Sequence, residues 1–548
     1  MRDLSRSHLK TFVSVLALLP VLGLSASSDR ARAAAPATGH GDAKSCAAMA
    51  YRTIAPGTVV TSAGYYPQGT SVGSIKVDVP FCRVIGVATP TDDSHIGFEV
   101  WLPPAGAWNG DFQAEGSGGS AGAISPAPML TALKRGFATM STDNGHLNDP
   151  KDPLGGSGQE WAFKHPQKMI DWGWRALHLS TIAAKAAIRG FYGKVAGKNY
   201  FVACSAGGHH ALMEASRFPA DYDGMVAGAA PWQWTRQMLG ETWNGIPALK
   251  DATAITRESA ALLNKAVIAA CDKLDGVEDG VIADPRRCTF DPGTLACTAS
   301  GKPGECLTPV QVDAARHIYA GVTRSDGTRL FPGQARGSEF GWPSALMRPA
   351  PGGSSIVFWS LSVFQDRNFN NVNFDFDRDT DRALATKVAG MSLEDVYDSK
   401  PDLAAFKARG GKLVLFQGWS DFQITPLVDI AYYEAMAARY GQAATDKFLR
   451  FFLLPGMGHC SGGPGFSHIG GATGAPIKDD ADHDMVRGME AWVTRNKAPA
   501  QFIAAHIDTG GQVTATRPVC MYPKQALYKG SGDPKDAASF VCAAPPAM

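Results

Sequence analysis

Apolar residues gather along the chain in three short runs, "YFVA" (200–203), "KLVLF" (412–416) and "LRFFLL" (449–454). Successive side chains of a strand point to opposite faces, so a run without alternation predicts a strand covered on both sides, as in a parallel sheet. Each run is followed by a Gly-containing turn. Apolar positions recur at helical spacing in "WRALHLSTIAAKAAIRGFYG" (174–193) and "VDIAYYEAMAARYG" (428–441). Alternating strand, turn and helix signals predict an α/β domain.

Residues 230–400 break this rhythm. They carry four cysteines, an acidic Gly-rich turn and a stretch dense in Trp, Phe, Asn and Pro. The expected organisation is an α/β domain in two parts (34–229 and 405–548) with an inserted lid at 230–404. At 548 residues the chain is long enough for both. No internal repeat is visible.

The first 33 residues read as an address. Arg2, Arg6 and Lys10 precede the apolar "TFVSVLALLPVLGL" (11–24), and "ARA" (31–33) supplies small residues for cleavage. This layout predicts a signal peptide and a secreted or periplasmic product. No later stretch approaches the ~18 apolar residues of a membrane span, so a soluble mature protein is expected. Lys+Arg (52) nearly balance Asp+Glu (51), which argues against nucleic acid or an anionic membrane as partner. Oligomeric state is not legible.

Export into an oxidising compartment gives meaning to the ten cysteines, all beyond the leader. None forms a C-x-x-C pair, which argues against a zinc cluster and for five disulfides.

"ACSAG" (203–207) follows the first predicted strand and opens a helical pattern. It fits the nucleophile elbow G-x-S-x-G with Ala203 in place of the first Gly. Such a turn lifts Ser205 above the sheet and frees the Ala206 amide for an oxyanion. The first acid after the second run is Asp421, and the first imidazole after the third is His459. Ser, Asp, His in that order, each just past a strand, is the arrangement of an α/β-hydrolase triad. Cys204 precedes Ser205 and Cys460 follows His459. If the serine and the imidazole are in hydrogen-bond reach, the two cysteines are close enough for a disulfide that staples one loop to the other. His209 and His210 invite a metal reading. Adjacent helical residues diverge, however, and no third ligand lies nearby, so both are read as structural.

Taken together, "CS", Asp421 and "HC" resemble the CS-D-HC pattern of the tannase/feruloyl esterase family of α/β-hydrolases. The Gly-rich "EGSGGSAG" (115–122), "STDNGH" (141–146), the acidic turn at 272–281 and "GWSD" (418–421) agree with it across nearly the whole mature chain. The resemblance implies Ser205 as nucleophile, His459 as general acid/base and Asp421 as its orienting carboxylate. It implies an oxyanion hole made by the Ala206 amide with that of Gly118 or Gly119.

The turn "CDKLDGVEDGV" (271–281) concentrates oxygen ligands, yet its spacing is not that of an EF-hand, and composition alone favours a solvated acidic loop. The resemblance favours a structural Ca²⁺ held by Asp272, Asp275 and Asp279 with the Val277 and Val281 carbonyls. Short spacing and the resemblance pair Cys271 with Cys288 and Cys297 with Cys306. Cys46–Cys82 and Cys520–Cys542 are the other pairs expected.

The expected function is a secreted serine carboxylic ester hydrolase acting on small-molecule esters of aromatic acids, of feruloyl, galloyl or terephthaloyl type. A serine peptidase, or a non-catalytic binding protein on a hydrolase scaffold, is the alternative. The intact Ser-Asp-His set argues against the last, and fluorophosphonate labelling of Ser205 discriminates it. The segment 339–374 supplies Phe340, Trp342, Phe358, Trp359, Phe364 and Phe369. Trp342, Phe358 and Trp359 are the candidate walls for an aromatic acyl group, unless they form the lid's own core. Arg348 or Arg367 could meet a ring carboxylate or phenol, or serve as a surface ion-pair partner.

Overall fold

All three predicted strands lie in one ten-stranded sheet, described by a computed structural model for residues 40–120, 122–148, 158–299, 302, 304–346 and 354–545. The predicted leader and Arg348 lie outside the described residues. The strands are β1 (Thr53–Ala55), β2 (Thr58–Tyr66), β3 (Phe81–Ala88), β4 (Ile96–Leu102), β5 (Phe112–Glu115), β6 (Ala138–Thr142), β7 (Asn199–Cys204), β8 (Gly224–Gly228), β9 (Lys412–Gly418) and β10 (Leu449–Leu454). Their order across the sheet is β1-β2-β3-β4-β6-β5-β7-β8-β9-β10. The pairings from β6 through β5 and β7 to β10 are parallel. Those from β1 to β4, and β4 with β6, are antiparallel. With helices packed on it, this is a mainly parallel α/β sheet extended by an antiparallel meander. That meander was not legible as apolar runs, because strands such as β2 alternate buried and exposed positions.

Double-sided burial explains the three runs. Phe201, Ala203, Leu413 and Leu415 pack into a cluster on one face, and Tyr200, Val202, Val414 and Phe416 into a second on the other. Each large apolar side chain so buried contributes about 1.5–3 kcal/mol. Helix α1 (Ala176–Tyr192) covers the first face with Leu177, Ala184, Ile188 and Phe191, and ends at left-handed Gly193. Its predicted first turn, from Trp174, belongs instead to a π-helical segment, Asp171–Arg175.

Register then places the loops. Cys204 pairs with Gly228, Gly228 with Phe416, and Phe416 with Phe452. Parallel strands in step end on one edge, so the segments after β7, β9 and β10 emerge side by side, where open α/β sheets hold ligands. The long segment 229–411 leaves and re-enters between the adjacent strands β8 and β9. It begins with α3 (Trp234–Lys250) and contributes to two apolar clusters, one around Trp359, shared with Met169, Trp172 and Ala206, and one around Trp342. Among the described residues no helix is long and apolar enough to cross a membrane.

Candidate active site

Ser205 stands between β7 and α2 (Ala206–Arg217) with φ 64° and ψ −129°. A non-glycine residue held there costs about 1–3 kcal/mol, so its surroundings must over-determine it. Its N–H donates to the Gly228 carbonyl at 2.9 Å, and its own carbonyl accepts from the His209 N–H at 2.9 Å. The alanine at 203 is accommodated because its neighbours have no side chain. A Cβ on Gly116 would lie 2.5 Å from the Ala203 methyl, and one on Gly207 would lie 2.6 Å from it. The room that the first elbow glycine would leave is supplied from across the turn.

The three residues expected as a set are hydrogen-bonded in series. His459 Nε2 lies 2.9 Å from Ser205 Oγ, and Nδ1 lies 2.8 Å from Asp421 Oδ2. Asp421 is fully buried; its Oδ1 accepts from the Gln423 and Ile424 amides at 2.8 and 3.0 Å, and its Oδ2 from Gln417 Nε2 at 3.2 Å. Those donors hold the carboxylate on the imidazole. Burial opposes charge on His459, but the Asp421 carboxylate, through its field and hydrogen bond, outweighs it, and the pKa is raised above 6.5. Cys204 and Cys460 form a disulfide with Cα atoms 5.9 Å apart. The other four bridges are Cys46–Cys82, Cys271–Cys288, Cys297–Cys306 and Cys520–Cys542.

Ser205 and His459 open onto a cavity of about 910 Å³. Gly118 and Gly119 line it, Gly119 with φ 60°. Ala206 supplies the first N–H of α2, one of the amides that a helix start leaves without an intrahelical acceptor. Several lining residues escaped the sequence reading. Trp234, Met238 and Glu241 of α3 line the cavity with Ser205, and Gln113, Glu115 and Arg135 form a polar end. Burial pushes the Glu115 carboxyl up to about 8 despite a 2.6 Å hydrogen bond from Gln113. A Gln and a Glu two apart in a buried parallel strand, "FQAE", were the available signal for that end.

The predicted lid aromatics are placed elsewhere. Trp342, Phe358 and Trp359 are at most 2% exposed and do not line the cavity. Trp359 Nε1 donates to Thr242 Oγ1 at 2.8 Å, and Trp342 Nε1 to Ser338 Oγ at 3.1 Å. Their rings fill apolar clusters, that of Phe358 and Trp359 shared with Met169, Trp172 and Ala206, and the aromatic side chain lining the cavity with Ser205 is Trp234, its ring centroid 4.7 Å from that of Trp172. Phe364 packs in the same cluster as Trp359, with Phe369 against it, whereas Phe340 is partly exposed against Phe422. Arg367 pairs with Glu160 through bonds of 2.5 and 2.7 Å on an exposed surface. His209 and His210 are buried among aromatic rings; His209 Nδ1 meets the Pro231 carbonyl at 3.1 Å, and burial pushes both imidazoles down.

In the acidic turn, Gly276 and Gly280 take left-handed φ of 90° and 83°, and the Cys271–Cys288 bridge closes the segment. Asp272 accepts from the Gly280 amide at 2.9 Å, Asp275 from the Val277 amide at 2.9 Å, and Asp279 from Arg517 at 2.7 Å. Burial, with Asp279 and Asp272 nearby, pushes Asp275 up to about 6. Arg517 already offsets the charge of Asp279, and the crowded carboxylate oxygens of the turn are the kind of donor that a hard cation accepts.

A parallel sheet with a serine elbow at its strand ends and a histidine and acid on the neighbouring loops defines an α/β-hydrolase. Residues 82–543 match the family described as tannase and feruloyl esterase, and the chain belongs to that family of ester hydrolases. It is similar to an uncharacterised esterase of Xanthomonas campestris, 36% identical over 525 residues and covering 89% of each chain. Mono(2-hydroxyethyl) terephthalate hydrolase of Piscinibacter sakaiensis is 35% identical over 560 residues, again covering 89% of each. The crystal structure of feruloyl esterase B from Aspergillus oryzae superposes with a TM-score of 0.83 at 27% identity, covering 91% of this chain and all of that one.

Proposed function

We propose that the protein is an exported serine esterase that cleaves esters of aromatic carboxylic acids through an acyl-enzyme on Ser205. The observation that carries this reading is the unbroken Ser205–His459–Asp421 hydrogen-bond line on the wall of the large cavity. As Ser205 Oγ attacks the ester carbonyl, its proton passes to His459 Nε2, and buried Asp421 stabilises the imidazolium through Nδ1. The Ala206 amide and an amide of the 118–119 loop meet the oxyanion. His459 then protonates the departing alcohol, and water activated by the same imidazole releases the acid. The flat Trp234 wall favours a planar acyl group, in keeping with the substrates named for the terephthalate and feruloyl relatives. Asp272, Asp275 and Asp279, with the Val277 and Val281 carbonyls, hold a calcium ion that braces the insert and takes no part in the chemistry. Export is supported by five disulfides and by the character of residues 1–33.

The test is hydrolysis of methyl gallate, methyl ferulate, chlorogenate and mono(2-hydroxyethyl) terephthalate beside aliphatic esters of similar size. At least one aromatic ester is expected to show the higher kcat/KM, and Ser205→Ala to abolish turnover with the fold intact. Near-normal turnover by Ser205→Ala would overturn the assignment.

A further inference from the structure

On the far side of the nucleophile helix from its N-terminus, His178 of α1, Glu214 of α2 and Asp221 of the following turn converge. We propose that these three side chains form a binding site for a divalent transition-metal cation of the zinc class. Their ligand atoms all lie within 4.8 Å of one another. One imidazole and two carboxylates are a donor set that such cations accept. Glu214 lies nine residues into the chain from Ser205, about 13 Å along a helix rising 1.5 Å per residue, so this place is separate from the ester site.

The independent observation is Glu214 itself. It is 1% exposed, and neither carboxylate oxygen has a hydrogen-bond partner. His178 Nδ1 stands 3.8 Å from its Oε1, out of hydrogen-bond reach. An acid buried without hydrogen-bond partners is costly. A cation between Glu214 and Asp221 removes that cost.

The other two ligands are already oriented. The His178 ring stacks on Phe218 with centroids 3.6 Å apart, and its Nδ1 bonds Asp221 Oδ2 at 2.6 Å. Lys185 Nζ reaches the Asp221 carbonyl at 2.6 Å and Oδ1 at 3.2 Å, which leaves Oδ2 for the ion. Tyr222, beside the cluster, is engaged by Thr181. Ligands about 2.0–2.2 Å from a metal stand roughly 3–3.5 Å apart, so the imidazole and Asp221 open slightly while Glu214 closes in. The proton now shared by Nδ1 and Oδ2 leaves to solvent, and the Nδ1 lone pair goes to the metal. Partial exposure of His178 and Asp221 provides entry. The bound ion would pin α1 to the helix that carries the nucleophile.

The test is titration of the calcium-loaded protein with Zn²⁺, with Co²⁺ as the spectroscopic probe. One saturable Zn²⁺ site is expected, with a rise in Tm and a visible Co²⁺ band. Glu214→Gln and His178→Gln should each weaken binding by at least about 100-fold, since loss of even an outer partner of a ligand costs 10–100-fold. No saturable Zn²⁺ binding by the wild type, or undiminished binding by both variants, overturns the proposal. Should Glu214→Gln fail to fold by circular dichroism, His178→Gln, at the rim, decides alone. Ester hydrolysis does not enter the readout, so this result stands apart from the proposed function.

Discussion

Replacing both Cys204 and Cys460 by alanine should reduce stability and, separately, turnover. The bridge closes a loop of 256 residues. In the chain-entropy treatment, opening a loop of that length frees the unfolded chain by about 5.5 kcal/mol at 25 °C. Residues 40–548 form one compact unit. With an unfolding entropy near 2.1 cal/mol/K per residue, a unit of that size should lose about 5 °C in Tm. The kinetic effect has another origin. Ser205 is held at φ 64°, and the bridge ties its neighbour to the residue after His459. If the staple carries the about 1–3 kcal/mol of backbone strain, its loss lets the serine relax away from the imidazole, and kcat falls about 5- to 150-fold. KM should move little, because the bridge forms only part of the cavity wall. The assay is calorimetric Tm together with kcat and KM on the best aromatic ester. Removing Cys46–Cys82, which spans 36 residues away from the serine, is the control. An unchanged kcat with an unchanged Tm would refute the reasoning, and a lowered Tm with unchanged kcat would refute its catalytic half.

Three further outcomes are expected. His459 must be neutral to take the serine proton, and its pKa is raised, so kcat/KM should fall as pH drops through a value above 6.5; Asp421→Asn should move that limb downward and cut kcat by about 10³–10⁴-fold, read from pH–rate profiles. Strong chelator should lower Tm, added Ca²⁺ should restore it, and Asp275→Asn should abolish the response; an unaffected Tm with no calcium by elemental analysis would remove the ion from the account. Trp234→Ala should lower kcat/KM for aromatic esters more than for aliphatic ones, whereas Trp359→Ala should act on stability, by about 3–5 kcal/mol, through the cavity it leaves.

What the sequence determined by itself is local in origin. A strand covered on both faces carries an unbroken apolar run, so β7, β9 and β10 could be read directly. Past such strands of a parallel sheet the loops lie side by side, which made the hydrogen-bonded trio Ser205, Asp421 and His459 legible from position. Neighbourhood then carried the Cys204–Cys460 bridge, since residues adjacent to two bonded side chains must themselves be close.

Only the tertiary structure decided which aromatics line the cavity at Ser205. Trp359 and Trp234 look alike in the sequence, yet one finds a hydrogen-bond partner in Thr242, 117 residues away, and the other meets the cavity beside Ser205. Composition cannot distinguish a ring that fills a core from one that lines a wall, because both are mostly buried. The tolerance of Ala203 rests likewise on Gly116, 87 positions earlier and brought against it by the loop after β5. Glu115 and the His178–Glu214–Asp221 cluster are of the same kind. Each is an ordinary polar residue along the chain, and only the fold buries Glu115 and Glu214 and draws His178 and Asp221 to the latter.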